Sequence, residues 1–327
     1  MRAEALPRAL GLPIEALRGA PTRIEALGEG RFAWREDLAG GPVGGAKVRK
    51  VEWLLGLARR GGGDVLTLGP AGGQHLLAAT VYGRAHGLRV HAVAWPCPRT
   101  GESERNLRAV HAHAEHVWPA ASRGEALAVL GRAFATVRVQ AGYAPEVWGP
   151  GGSDPPGTLA WVQAGMELAE RVAAGAMPAP PRVWVAAGSG GTAAGLWLGC
   201  ALGGLSTELV AVDVTGLGRR LVEAQAWRAR RALEARGVRV PRPGPLRVVA
   251  EESAYGALTE AGERAAAAAG AQGLHLDATY AAKAYAVALT EGPGCFIATS
   301  NGQPFEPLLR TALPTLPARL GCLLEGG

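Results

Sequence analysis

The chain has 327 residues, 48% of them apolar and 19% charged, enough to bury two cores or one large one. Its 34 basic and 28 acidic residues leave a net charge of +6, but the arginines are spread along helical stretches such as 218–236 and are not interleaved with aromatics, which argues against a nucleic-acid partner. Cys97, Cys200, Cys295 and Cys322 stand far apart with no CxxC spacing, a pattern that predicts reduced thiols in a cytoplasmic protein and neither disulfides nor a zinc site.

The first 20 residues, MRAEALPRALGLPIEALRGA, carry charge throughout and do not read as a secretory signal. Residues 44–50, GGAKVRK, hold two of only three lysines, Lys47, Lys50 and Lys283, in a chain that otherwise uses arginine. From Val48 the apolar residues Val51, Leu54, Leu55 and Ala58 recur at helical spacing, which puts Lys47 at a helix entrance. The helix dipole disfavours an ammonium there and predicts a lowered pKa. A neutral amine can attack an aldehyde, which an arginine cannot do.

The strand DVLTL (64–68), a helix from Gln74 to His86, the strand RVHAVAW (89–95) and a helix near 102–112 follow. This alternation implies βαβ units and a parallel sheet. The loop LGPAGGQHLL (68–77) joins strand to helix, and its Gly72, Gly73, Gln74 and His75 suit a substrate carboxylate, with the last two as donors. His111, His113 and His116 lie close together, but no carboxylate or cysteine completes a metal set, so a structural role is expected.

The Gly/Pro-rich stretch AGYAPEVWGPGGSDPPG (141–157) reads as a linker to a second α/β half. There a helix at 158–174, strands at 182–187 and 208–213, and a long helix at 217–236 are predicted. Residues 183–207 are uncharged and long enough to span a bilayer, but GSGG interrupts them early, which predicts a buried strand, loop and helix and no membrane span. In GSGGTAAG (188–195), Gly188, Ser189, Gly190, Gly191 and Thr192 form a phosphate cradle at a helix N-terminus. Gly188, Gly190 and Ala193, with Asp213, also fit a loose dinucleotide fingerprint, which keeps an NAD(P)-dependent oxidoreductase open. After the strand CFIAT, Thr299, Ser300 and Asn301 end at a strand's carboxyl edge, where they could face a ring.

An aldehyde-binding lysine, a phosphate cradle and a carboxylate loop in an interdomain cleft describe a pyridoxal-phosphate enzyme acting on an amino acid. WREDLAGGPVGGAKVRKVEW, RNLRAVHAHAEHVW, GPGGSDPPGTLAWV, VAAGSGGTAAGL, SAYGALTEAG, LDATYAAKAYA and ATSNGQP resemble, in order and over about residues 20–310, the fold-type II pyridoxal-phosphate enzymes. The branch is the one holding 1-aminocyclopropane-1-carboxylate deaminase and D-cysteine desulfhydrase. The resemblance implies an α/β protein of two open twisted parallel-sheet domains, tryptophan synthase β-like, with the active site in the cleft. The large domain would comprise 1–47 and 153–327 and the small one 48–152, and the protein would be a homodimer.

The resemblance also implies that Lys47 binds pyridoxal phosphate as a Schiff base while Lys50 does not, and that Ser189 to Thr192 hold the phosphate. Tyr255 and Tyr280 would line the substrate pocket and position or protonate a small amino acid, which would be converted to a 2-oxo acid and ammonia. The GQH at 73–75 resembles the carboxylate loop of the tryptophan synthase β subunit, with Gly69 where an acidic catalytic residue is expected. Ala46 replaces an asparagine of the family motif, Gly73 and Gln74 replace a Ser-Asn pair, and Ala281 replaces a Glu or Thr that touches the pyridine nitrogen. Without that serine, cyclopropane ring opening is not expected, and Ser300 or Thr299 is left to meet the pyridine nitrogen. A homologue that binds pyridoxal phosphate or an amino acid without this turnover is the alternative.

Overall fold

The computed structural model describes residues 1–58, 63–251, 257, 259–302 and 313–325. A short helix α1 (Leu6–Ala9) precedes a hairpin of β1 (Ile24–Gly28) and β2 (Arg31–Trp34). Then come α2 (Ala46–Ala58), β3 (Asp64–Pro70), α3 (Gln74–Ala85), β4 (Arg89–Trp95), β5 (Cys97–Pro98), α4 (Gly101–His113), β6 (His116–Pro119), α5 (Ala126–Ala141) and β7 (Glu146–Trp148). The remainder is α6 (Pro155–Ala173), β8 (Arg182–Ala187), α7 (Gly191–Leu202), β9 (Glu208–Asp213), α8 (Gly218–Glu234), β10 (Leu246–Ala250), α9 (Glu260–Gly270), α10 (Ala281–Glu291), β11 (Gly294–Ile297), α11 (Ala318–Gly321) and β12 (Leu324–Glu325).

Two open sheets result. The smaller has the order β6-β4-β3-β7 and is parallel throughout; the larger has the order β1-β2-β11-β8-β9-β10 and is parallel except for its β1/β2 hairpin. Alternation along the strands feeds a separate core on each face. In β8, Val183, Val185 and Ala187 join the core against α6, α7 and α8, while Trp184 and Ala186 join the core against α9 and α10. Helices on both faces cover the strands on both sides, so the α/β double winding expected from the sequence is present. Each buried Val, Leu or Trp here contributes about 1.5–3 kcal/mol.

Strands predicted at 64–68, 89–95, 182–187 and 208–213 are present within two residues, and the predicted helices within three. The N-terminal hairpin and α5 are additional. Among the described residues, no helix is long and apolar enough to cross a membrane, because the apolar run divides into β8, the Gly188–Gly190 turn and α7. This α7 packs so closely on α6 that an alanine methyl at Gly199 would sit 2.1 Å from the Val162 carbonyl oxygen. The C-terminal residues return to the smaller sheet: β12 pairs with β5, and Leu313, Leu320, Leu323 and Leu324 enter the core formed by α2, α3 and α4.

Candidate active site

The carboxyl ends of β3, β7, β8, β9 and β11 point their loops at one cavity of about 440 Å3 between the two sheets, the position at which open parallel sheets bind ligands. Lys47, on the first turn of α2, reaches into it. This entrance is clamped to the loop after β11: Gly44 N–H donates to Asn301 Oδ1 (2.7 Å) and Ala46 N–H to the Thr299 carbonyl (3.1 Å). Gly45 lies at φ +86, and a Cβ there would be 2.4 Å from the Ser300 carbonyl oxygen, so the approach requires glycine. Deeper in α2, the fully buried Arg49 ion-pairs with Glu36 (2.5 Å) and Glu167 (2.9 Å) and lies over the Trp161 ring. The helix that presents Lys47 is therefore rigidly held.

Burial lowers the Lys47 ammonium to about 8, with the Asp277 carboxylate acting in the opposite sense. The expected amine is thus available near neutral pH, although desolvation, more than the helix dipole, makes it so. In the cofactor-free protein this is also a stability term. The unfolded chain binds a proton that the folded one releases between pH 8 and 10.5, so the full cost is felt below 8 and disappears toward 10.5. Lys47→Met should therefore stabilise the cofactor-free protein by up to about 3 kcal/mol at pH 7, as read by denaturant unfolding. The gain should shrink steadily above pH 8; one that stays constant with pH would contradict this origin.

Ser189, Gly190 and Thr192 line the cavity where β8 passes into α7, and Gly188 packs on the Tyr280 ring. Gly190 caps α7 at φ +79, leaving first-turn N–H groups for an anion. Behind this cradle stands Lys50, wholly buried, its Nζ donating to the Gly151 carbonyl (3.0 Å) and Ser153 Oγ (2.9 Å). Ser153 Oγ in turn lies 2.6 Å from Ser189 Oγ. Burial and then the charge of Lys47 hold Lys50 well below the ordinary lysine range. Lys50 and Ser153 were missed by the sequence reading, which gave the lysine no role and placed the serine in a linker; that linker is a wall of the site. Its Gly151 is needed because a Cβ there would be 2.4 Å from Ser189 Oγ.

Across the cavity, Gly73, Gln74 and His75 line the start of α3, while Gly72 lies just beyond, in an adjoining lobe. In this structure the Gln74 and His75 side chains both have partners of their own. Thr67 Oγ1 donates to the Trp148 carbonyl (3.1 Å), so it must accept the His75 Nε2–H at 2.8 Å. His75 Nδ1 is then a bare, buried acceptor without a partner among the described residues. Burial, followed by the charges of Lys47 and Lys50, pushes this imidazole well below its usual pKa, so it is neutral. Gln74 Nε2 points to Glu102 Oε1 (3.3 Å). The donors facing a carboxylate here are the backbone N–H groups at the N-terminus of α3 and the second N–H of Gln74 Nε2.

Tyr280 lines the cavity at the entrance to α10. Tyr255 lies outside the described residues. Ser300 is buried beneath the wall, its hydroxyl donating to Asp277 Oδ2 (2.8 Å) and accepting from Asp277 N–H (3.0 Å); Thr299 and Asp277 reach the cavity surface instead. Asp277, in the LDATY segment, thus brings a carboxylate to the cavity surface. Asp213 is turned to its own loop, its oxygens accepting from Thr215 N–H, Thr215 Oγ1 and Gly218 N–H. Among the described residues no cluster could hold a metal, and His113 Nδ1 is spent on the Ala109 carbonyl.

A desolvated lysine amine, an anion cradle backed by a second lysine and a helix N-terminus opposite fit pyridoxal phosphate with a carboxylate-bearing substrate. The model of one family, described as pyridoxal-phosphate dependent enzyme, matches residues 13–295. The chain belongs to this family. Its cofactor is pyridoxal phosphate. The chain is 35% identical to the nocardicin C-9' epimerase of Nocardia uniformis subsp. tsuyamanensis, covering 84% of this chain and 86% of that one. It is 32% identical to the D-cysteine desulfhydrase of Klebsiella pneumoniae over 61% and 63%. The crystal structure of an ACC deaminase homologue superposes with TM-score 0.77 and 26% identity, covering 90% of this chain and 94% of that one. The fold is thus the fold-type II, tryptophan synthase β-like one that the motifs implied.

Proposed function

We propose that this protein is a pyridoxal-phosphate-dependent deaminase or lyase that converts a small amino acid to a 2-oxo acid and ammonia. The observation that carries the reading is Lys47, an amine held near 8 by burial in a cavity with an anion cradle on one side and a carboxylate-binding helix end on the other. When bound, pyridoxal phosphate supplies an electron sink for the substrate's α carbon. Ser189 to Thr192, with Lys50 behind them, bind the phosphate, and the N-terminus of α3 from Gly73 to His75 binds and orients the carboxylate. The Lys47 Nζ takes the α proton and returns a proton to the β or γ carbon. Tyr280, and Tyr255 by resemblance, position or protonate the substrate. We assign Thr299 and Asp277 to the pyridine end of the cavity. The D-cysteine desulfhydrase relative supports elimination at the β carbon. The separate orders of the two sheets support two domains, 1–47 with 153–327 and 48–152, with the C-terminal return packed on the smaller one.

Epimerisation is the second reading. The epimerase relative shares 35% identity, and Gly73 stands where the deaminase branch has its serine, which removes a hydroxyl from the carboxylate loop. A cytoplasmic homodimer is proposed from the family resemblance and from Cys97, Cys200 and Cys295, which are buried and form no disulfide among the described residues.

The test is a visible spectrum of the purified protein, borohydride reduction with peptide mapping, and a panel of D- and L-amino acids in D2O. The expected result is a visible cofactor band, a reduced adduct on Lys47, and oxo acid from at least one substrate. Deuterium at the α carbon with inverted configuration and no oxo acid would select epimerisation; no adduct on Lys47 would remove both.

A further inference from the structure

The chain has two asparagines, Asn106 and Asn301, and each clamps a glycine of an active-site loop. Asn301 holds Gly44 at the mouth of α2. Asn106, buried on α4, donates from Nδ2 to the Gly72 carbonyl (2.9 Å) and lines neither the main cavity nor the adjoining lobe. Gly72 immediately precedes Gly73, the N-cap of α3, so its peptide sets where the carboxylate-binding end of that helix lies.

The other polar group of Gly72 is also taken, its N–H donating to Cys97 Sγ (3.3 Å). A Cβ at Gly72 would sit 2.4 Å from Ser103 Cβ, so α4 and the loop touch without room for a side chain. The elements that supply these contacts are themselves fixed. A capping box of Thr100 and Ser103 closes the start of α4, and Arg108 of the same helix donates to the Leu313 and Pro314 carbonyls (2.7 and 3.1 Å). β12 pairs with β5, where Cys97 N–H donates to the Leu323 carbonyl (3.0 Å). An apolar side chain at position 106 would leave the Gly72 carbonyl without this donor and free the loop to turn away from the point where the α3 N–H groups converge. A misplacement of about 1 Å is enough to be felt in binding at such a site.

We propose that Asn106 is a positioning residue for the substrate carboxylate, acting through the Gly72 peptide. This rests on the reading of the α3 N-terminus as the carboxylate site. The signature is selective: the carboxylate of a ligand feels the loss of Asn106, while its amine and the cofactor do not.

The test titrates the cofactor-loaded enzyme with both enantiomers of alanine and of serine, and with ethylamine and ethanolamine, the same molecules without the carboxylate. Binding is read from the change in visible cofactor absorbance, which requires no turnover. In Asn106→Leu, of nearly the same shape but without a donor, the preference for amino acid over amine should fall about tenfold, the size of one lost hydrogen bond. Asn106→Ala should show the same fall, and both variants should bind pyridoxal phosphate within about twofold of wild type. If Asn106 only fills space, the leucine variant keeps the wild-type preference and the alanine variant alone loses it, which overturns the proposal. A loss of cofactor affinity as large as the loss of amino-acid affinity, or loss of the cofactor from both variants, marks a structural role and overturns it too. A wild type that binds amines as well as amino acids overturns the carboxylate site and this inference with it, whereas a protein without any cofactor band overturns the proposed function itself, so the failures are distinguishable.

Discussion

Lys47→Ala should lower turnover by at least about 10^3-fold, because one amine supplies both the covalent anchor and the proton transfers. The same variant should lose the borohydride-stable adduct yet retain cofactor held without a bond, since the cradle at α7, Ser153 and Lys50 is untouched. Lys47→Arg is the control. It restores a cation at the mouth of α2 but not a nucleophile, so it should be as inactive as alanine. If charge alone mattered, it would recover most of the activity. A small primary amine added to the alanine variant should recover a measurable fraction, since it replaces the missing base in an otherwise intact cavity. Activity within about tenfold of wild type in the alanine variant would overturn the assignment.

What could be read from the sequence was local. Short apolar runs fixed the parallel strands, because a strand covered by helices on both faces needs apolar residues on both sides of its pleat, as Val183 to Ala187 show. GGAK and GSGG were legible because each demands glycine for a backbone reason: close approach to the Ser300 carbonyl in the first, a left-handed helix cap at Gly190 in the second. What escaped was set by contacts distant in sequence. Lys50 and Ser153 lie 103 residues apart, Asp277 and Ser300 23 apart, and no periodicity reports either pair. The proline- and glycine-rich stretch around Gly151 looked like a linker because its composition is that of a turn; it is a turn, folded against Ser189. His75 shows a further limit. Its sequence position suggests a donor, but the tautomer is fixed by Thr67 and the Trp148 carbonyl, and only the structure places those two together.

Lys50→Met should weaken binding of pyridoxal phosphate about 10- to 100-fold while changing binding of pyridoxal, which lacks the phosphate, by much less. The ratio of the two affinities isolates the contribution to the phosphate. The magnitude is that of one charge-assisted hydrogen-bonding group in a dry site. In the cofactor-free protein, burial and Lys47 depress the Lys50 pKa well below its ordinary value, and the Asp154 charge only partly compensates. The ammonium form of Lys50 is thus disfavoured, and its Nζ is linked through Ser153 Oγ to Ser189 Oγ in the cradle. A phosphate anion seated there favours the ammonium form, so binding raises the Lys50 pKa and takes up a proton. By linkage, this part of the affinity is complete at low pH and is lost as pH rises through the loaded-state value. Calorimetric titration in two buffers of different ionisation enthalpy measures the proton uptake directly. The wild type should take up more protons than Lys50→Met at the same pH. Equal uptake by the two proteins, or an unchanged ratio of affinities, would show that Lys50 supports the Gly151–Ser153 turn and contributes nothing to phosphate binding.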